Sequence, residues 1–328
     1  MQNQQATTPL QQEGPLISFI VTTYNMPSKL LRECLESIGA LGLTDEECEI
    51  VLVDDGSEVT PLADLSDWQD RLVYLRQQNC GLSVARNNGL RIARGRYVQF
   101  VDADDCLLSA TYSQCLKWAA EHDADIMLFA LNKGRGAKDK GHADDIAVNG
   151  PMTGAAYLHN NNLRASACGY LFKRLMLDNL RFTPGIYHED EEFTPLLLLK
   201  ADQLYFTEAE AYFYRQRSES ITHQADETHT RKRLDDMRNI IYRLQKTSAT
   251  IPEGERVALS RRVAQLSMDY LYQTIKLTHS KEALNAAIKH LEVAGLFPLP
   301  DKSYSKKYRM FRRLVGNAAG RRLLLMTV

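Results

Sequence analysis

Apolar residues follow two rhythms along the chain. Before about residue 225, short near-continuous apolar runs alternate with stretches in which every third or fourth position is apolar; beyond it only the second rhythm persists. Leu16–Thr22 (LISFIVT) and Glu49–Val53 (EIVLV) are β-branched runs suited to strands buried on both faces of a parallel sheet. Between them, Leu30, Leu31, Leu35 and Ile38 mark one face of a helix over 29–38. The same reading predicts strands at Val73–Leu75, Tyr97–Val101 and Asp125–Phe129, with helices at Ser83–Ile92 and Ala110–Glu121. A Gly-, Lys- and Asp-rich loop, Lys133–Gly150, follows, and then a helix over Glu189–Leu199 and strands at Gln203–Phe206 and Ala211–Tyr214. Strands alternating with helices predict an α/β fold with a doubly wound, mostly parallel sheet.

The later part is helical. One stripe carries Leu234, Met237, Ile241 and Leu244, a second Leu259, Val263, Leu266 and Tyr270, and a third Leu284, Ile288 and Leu291, before a Pro-containing break at Phe297–Pro300. The expected organisation is a disordered lead-in over 1–14, an α/β domain over 15–223 and a helical region over 224–328. No apolar run approaches the about 20 residues that a membrane-spanning helix needs. The polar start does not read as a secretory signal, and the six cysteines form no CxxC pair, so a cytoplasmic protein with free thiols is expected.

Charge changes this picture. The net charge of −1 conceals a division: residues 224–328 carry 20 Lys and Arg against 10 Asp and Glu, and residues 1–223 carry 20 against 31. Lys302–Arg322 holds eight of the basic residues and no acid, with Tyr304, Tyr308, Met310, Phe311, Leu314 and Val315 interleaved. This pattern reads as a basic amphipathic tail for an anionic membrane surface, or as a solvated helical face. Nucleic acid is disfavoured as a partner, because no recognition module accompanies the tail and the body is acidic.

Three predicted strands end in polar clusters: Thr22–Asn25, Asp54–Ser57 and Asp102–Asp105. In open α/β sheets ligands bind beyond the carboxyl ends of the strands, so these clusters should share one crevice. Asp102, Asp104 and Asp105 would raise one another's pKa unless a cation joined them, and oxygen-only ligands favour Mg²⁺ or Mn²⁺. Neither GxGxxG nor GxxxxGK[ST] occurs, which disfavours a nicotinamide dehydrogenase or a P-loop NTPase. His188–Glu192 is HExxE-like, not the HExxH of zinc proteases.

Four segments in order, ISFIVTTYN, EIVLVDDGS, NCGLSVARNNGL and GRYVQFVDADD, resemble the family 2 glycosyltransferases with the GT-A nucleotide-sugar fold, over roughly residues 16–222. The resemblance implies a nucleotide-sugar donor, UDP-sugar favoured, held by Thr22, Tyr24, Asn25 and Asp55, with Asp54 more suited to ordering its turn. It implies that Asp102 faces the ribose or a metal-bound water and that Asp104 coordinates Mn²⁺ or Mg²⁺. Arg86 either contacts the diphosphate or pairs with the Asp102–Asp105 cluster. Glu189–Asp190 resembles the family's ED motif, which makes Asp190 the general base. Tyr212–His223 resembles the stretch closing the catalytic domain in bacterial members, where Arg215 or Arg217 could steady the diphosphate and His223 could join the metal. The expected activity is inverting, metal-dependent transfer to a hydroxyl of a growing, lipid-linked surface glycan. A silent nucleotide-sugar-binding scaffold on the same fold is the alternative, and would be expected to lose Asp104 or Asp190.

Overall fold

The structure, a computed structural model, describes residues 14–134, 145–216 and 226–327. Arg217, His223, residues 1–13 of the expected lead-in and 135–144 of the expected loop lie outside the described residues.

Strands β1 (Ile17–Thr23), β2 (Cys48–Asp54), β3 (Leu72–Arg76) and β4 (Tyr97–Asp102) lie in the order β3-β2-β1-β4, all parallel. The strand alternation sends Ile17, Phe19 and Val21 into one core with Leu31, Leu35 and Ile38 of α1 (Ser28–Gly39). Ile20 turns to the other face, against Ala85 and Leu90 of α2 (Leu82–Ile92). Helices on both faces explain why β1 is buried along its whole length.

The rest of the sheet is mixed. It contains β5 (Cys106–Leu107), β6 (Ile126–Gly134), β7 (Asn149–Met152), β8 (Tyr170–Lys173) and β9 (Leu204–Arg215), with α3 (Ser109–Glu121), α4 (Gly154–Asn160) and α5 (Glu189–Leu198) interspersed. β8 runs antiparallel between β4 and β6, while β9 runs parallel to β6 and antiparallel to β5 and β7. The parallel character expected of the sheet is thus concentrated in its first four strands. The strands expected at Gln203–Phe206 and Ala211–Tyr214 are one strand, β9: Thr207–Glu210 break the apolar pattern, but pairing with β6 continues through shifts of register on either side of Ala130. The short elements β5, β7, α4 and β8 are too brief to show a hydrophobic period. β8 matters most for the site. Because it is reversed, its first residue, Tyr170, lies at the end of the sheet where β4 finishes and opposite Leu128 of β6.

Helices α6 (Glu227–Ser248), α7 (Glu253–Thr278), α8 (Lys281–Val293), α9 (Lys306–Val315) and α10 (Ala318–Thr327) share a core in which the three expected stripes meet. Tyr308, Phe311, Val315 and Leu324 of the basic tail are buried in this core, while Met310, Leu323 and Met326 are exposed. Among the described residues, no helix is long and apolar enough to cross a membrane. Two consecutive buried arginines fasten α7 to the α/β part. Arg261 donates to the Leu158 carbonyl and to Asn162 Oδ1, each at 2.9 Å, and Arg262 donates to the Leu163 carbonyl at 3.0 Å.

Candidate active site

A cavity of about 580 Å³ opens at the carboxyl ends of β1, β2 and β4. Its wall includes Thr22, Tyr24, Asn25, Asp55, Asp102, Asp104 and Arg215, all singled out from the sequence, together with Asn79, Asp105 and Tyr214. Asp54, Arg86 and Asp190 are not part of that wall.

The turn after β2 explains how Asp54 and Asp55 divide their work. Asp54 is fully buried and accepts from the Ser57 N–H and the Tyr74 hydroxyl, each at 2.9 Å, which orders the turn. Asp55 faces the cavity and accepts from Gln77 Nε2 at 2.6 Å, Cys80 N at 2.9 Å and Gly81 N at 2.8 Å. Three of its roughly four acceptor positions are therefore used to draw the 77–81 loop across the cavity. Gly56 is required here: its φ is +81°, and a Cβ would lie 2.7 Å from Asn79 N. Asn25, with φ +46°, ties the first turn to the second, since its N–H donates to Ser57 Oγ at 2.9 Å and its Oδ1 accepts from Glu58 N at 2.8 Å. Tyr24 stands 48% exposed at the rim, its ring available to a planar ligand.

The acids after β4 have separate environments. Asp105 is buried, and burial followed by the charge of Asp102 pushes its carboxyl up to about 8. The Tyr212 hydroxyl and the Arg215 N–H, both donating at 2.8 Å, oppose that shift. Asp105 thereby anchors the acidic turn to β9. Arg215 donates to the Asp104 carbonyl and to Glu33, both at 2.7 Å, so its guanidinium is fixed at the cavity edge. Asp102, Asp105 and Cys168 bring ligand atoms within 4.8 Å of one another. Burial raises the Cys168 thiol, however, and a protonated thiol is a poor partner for a hard cation. Asp102 and Asp104, half-buried on the cavity wall, fit an oxygen-preferring divalent cation that completes its shell with water and phosphate.

Arg86 joins this cluster to the second acidic group. It is buried, donates to Asp102 at 2.9 Å and to Glu189 at 2.7 Å, and lies over the rings of Phe182 and Phe100. Burial works against its charge, but Asp102, Glu189 and Asp190 outweigh it and raise the guanidinium pKa. Of the two roles open to it in the sequence, this is the ion pair. Glu189, whose part the sequence reading missed, is its second partner; its place in the first turn of α5 is the one signal that pointed to it.

The first turn of α5 carries four acids, as a helix N-terminus favours. Three have an arginine each: Glu189 pairs with Arg86 of α2, Glu191 with Arg262 of α7, and Glu192 with Arg243 of α6. Asp236 of α6 also accepts from the Tyr187 N–H at 2.9 Å, fixing the approach to α5. Asp190, half-buried, has no hydrogen-bond or ion-pair partner among the described residues. Burial, then the charges of Glu189 and Glu191, raise its carboxyl well above the ordinary range against the pull of Arg86. A half-buried carboxylate with its oxygens uncommitted is suited to receive a proton.

The parallel strands, the mixed half-sheet and the acidic cavity at the strand ends define a GT-A-type α/β protein. Residues 18–180 match the family model "Glycosyl transferase family 2", and this segment belongs to that family. It is 28% identical over 268 residues to glycosyltransferase GlyA of Streptococcus pneumoniae, covering 77% of this chain and 38% of that protein. The uncharacterized glycosyltransferase EpsJ of Bacillus subtilis is 29% identical over 220 residues, 63% of each chain. The chain thus spans less than two thirds of these curated relatives. Among solved structures, S. aureus TarS 1-349 in complex with UDP-GlcNAc superposes with a TM-score of 0.67 at 21% identity, over 94% of this chain and 88% of that one. The mannosyltransferase PcManGT from Pyrobaculum calidifontis, in complex with GDP-Man and Mn²⁺, gives 0.56 at 16% identity, over 95% and 85%. These likenesses establish the fold.

Replacing Arg86 by Met leaves Asp102 and Glu189 without their shared cation. We expect a loss of about 3 kcal/mol, the scale for removing one partner of a buried pair, with Arg86→Lys recovering only part because an ammonium lacks the fork. Urea denaturation of the ligand-free chain measures both, and equal stability of R86M and the parent would show that the bridge contributes nothing.

Proposed function

We propose that this chain is an inverting glycosyltransferase that moves a monosaccharide from a nucleoside-diphosphate sugar, a UDP-sugar first among candidates, to a hydroxyl of a growing, lipid-linked surface glycan. On this reading residues 15–223 are the catalytic unit and 224–328 a helical unit that steadies it. The observation that carries the proposal is the convergence of Asp55, Asp102 and Asp104 on one cavity, rimmed by Tyr24 and linked through Arg86 to the helix bearing Asp190.

The roles follow from chemistry. Tyr24 offers a face to the base, and Asp55 has one acceptor position left for a ring N–H. Asp102 and Asp104 would hold a divalent cation, Mn²⁺ or Mg²⁺, which when bound neutralises the charge of a departing nucleoside diphosphate. Arg215 adds a positive charge on the same wall; Arg217 and His223 keep the supporting roles that the resemblance implies. With so good a leaving group no acid is needed, and one carboxylate suffices. Asp190 accepts the proton of the acceptor hydroxyl as that oxygen attacks the anomeric carbon opposite the leaving diphosphate, which inverts configuration. We place this activity at the cytoplasmic face of the plasma membrane, because exposed Met310, Leu323 and Met326 stand among the cations Arg309, Arg313 and Arg322.

Asp190→Asn should retain stabilisation by the donor and lose transfer by about 10²- to 10⁴-fold, the usual worth of a general base; Asp104→Asn should lose the metal-dependent part of donor stabilisation. A thermal-shift screen of UDP-, GDP- and dTDP-sugars with and without Mn²⁺, followed by transfer assays, measures both. Full transfer by D190N removes the base assignment, and binding without transfer by the parent chain favours the silent scaffold.

The raised Asp190 carboxyl must be ionised to act, so kcat/KM should fall as pH drops through a pKa above the ordinary carboxylate value of about 4. Glu191→Gln removes a like charge and should move that limb to lower pH. A limb that stays in place in E191Q speaks against Asp190 as its source.

Sedimentation with vesicles checks the membrane contact. The chain should pellet with phosphatidylglycerol vesicles at low salt and be released by about 1 M salt, where the screening length falls to about 3 Å; equal recovery with neutral phosphatidylcholine vesicles counts against an anionic surface.

A further inference from the structure

Gln77 and Asn88 form a relay behind Asp55. Asn88 of α2 donates from Nδ2 to Gln77 Oε1 at 2.5 Å, and Gln77 donates from Nε2 to Asp55 Oδ1 at 2.6 Å. We propose that this relay selects the nucleobase: by occupying Asp55 it admits a base with one ring N–H, the imide of uracil or thymine, and rejects guanine, which presents two donors side by side. This rests on the donor reading above, with Asp55 as the acceptor for the base.

Each carboxylate oxygen has about two acceptor positions. Oδ1 of Asp55 uses both, one on Gln77 Nε2 and one on Cys80 N at 2.9 Å, and Oδ2 uses one, on Gly81 N at 2.8 Å. The position left is therefore on Oδ2. A uracil or thymine ring, with one N–H between two carbonyls, fits it. Guanine brings its ring N–H together with the adjacent 2-amino group, a pair that needs both oxygens of a carboxylate. With Oδ1 full, one of those donors is desolvated beside the buried Asp55 without a partner, and that loss is what rejects the base. Cytosine and adenine present a bare ring nitrogen where the carboxylate needs a donor, so they are rejected whatever Gln77 does.

Gln77 is a fixed occupant of Oδ1. Its amide could turn either end toward a neighbour, but the Asp55 carboxylate only accepts and Asn88 Nδ2 only donates, so both ends are engaged in one orientation. Its backbone is pinned as well, since Gln77 N donates to the Asp54 carbonyl at 2.9 Å where β3 ends beside β2. The helix and the sheet edge thus set this side chain jointly. Neither Gln77 nor Asn88 belongs to the cavity wall, so both act on the base through Asp55, as positioning residues. The other two occupants of Asp55 are backbone N–H groups, which leaves Gln77 as the member of the three that a side-chain substitution removes.

Inosine diphosphate separates the number of donors from the size of the ring, because it lacks only the 2-amino group of GDP. Titration calorimetry of the full chain with Mn²⁺ and UDP, dTDP, IDP or GDP tests the assignment. The parent should bind UDP or dTDP, the tighter of the two naming the imide, and should prefer IDP to GDP by about tenfold, the scale of one unpaired donor. In Gln77→Leu, which frees a position on Oδ1, that ratio should fall to about one; in Asn88→Ala, which releases only the far end of the amide, it should be intermediate. General damage to the fold would weaken all four nucleotides together and leave the ratio alone. A ratio unchanged in both variants overturns the proposal, as do equal affinities for IDP and GDP in the parent. Rejection of both purines by all three proteins, with UDP still bound, overturns it too and assigns the choice to ring size. If no nucleotide binds the parent, the donor reading itself fails and the selectivity falls with it.

Discussion

Arg86 spans two acidic elements that would otherwise repel each other. The turn after β4 and the first turn of α5 each concentrate carboxylates, and Arg86 holds both at one end of the sheet. A lysine could neutralise one side; a guanidinium fork can bind both while its face rests on Phe182 and Phe100. The distance between the cavity wall at Asp102 and the turn that carries Asp190 is thus set by the span of one buried side chain. That arrangement also explains why Arg86 is absent from the cavity wall. Its contribution is to hold two carboxylate-bearing elements in register.

The same constraint accounts for much of the charge division along the chain. The acidic α/β part and the basic helical part pair with each other at α5, where Arg243 and Arg262 take Glu192 and Glu191. With Arg86 on Glu189, three of the four acids in this turn are matched and Asp190 is left with its oxygens uncommitted. The surplus of positive charge beyond residue 224 is therefore partly intramolecular. The apolar positions of the basic tail are likewise divided, with Tyr308, Phe311 and Val315 inside the helical core and Met310 outside it.

The legible parts of the sequence were those in which one local rule decides. The buried run of β1, the stripes of α6 to α8 and the polar strand ends all follow from periodicity and from where α/β sheets place ligands. That Asp54 orders its turn was readable, because a turn residue at a strand end has few alternatives. The partnership of Arg86 with Glu189 was not, since 103 residues separate them and no spacing rule connects them. Neither was β8, a four-residue strand whose direction depends on tertiary pairing. The continuous β9 was hidden by Thr207, Glu208 and Glu210, polar positions on a strand that keeps its pairing by shifting register.

The direction of β8 has the largest consequence for the site. Had this strand continued the parallel series, its first residue would lie at the opposite end of the sheet, and the loop before it would be remote from Asp102. Its reversal brings Ser166, Cys168 and Tyr170 to the carboxyl end of β4, and the pairing of Leu128 with Tyr170 carries the end of β6 there as well. The loop before β8 then stands beside the Asp102 and Asp105 carboxylates, and α5 is tied to the first residue of β8 by the hydrogen bond between Thr194 and Tyr170. The parallel half alone supplies the crevice at the strand ends. The loop beside the acids and the anchoring of α5 both require the antiparallel insertion, which is why the mixed half of the sheet shapes the site as much as the strands that carry the acids.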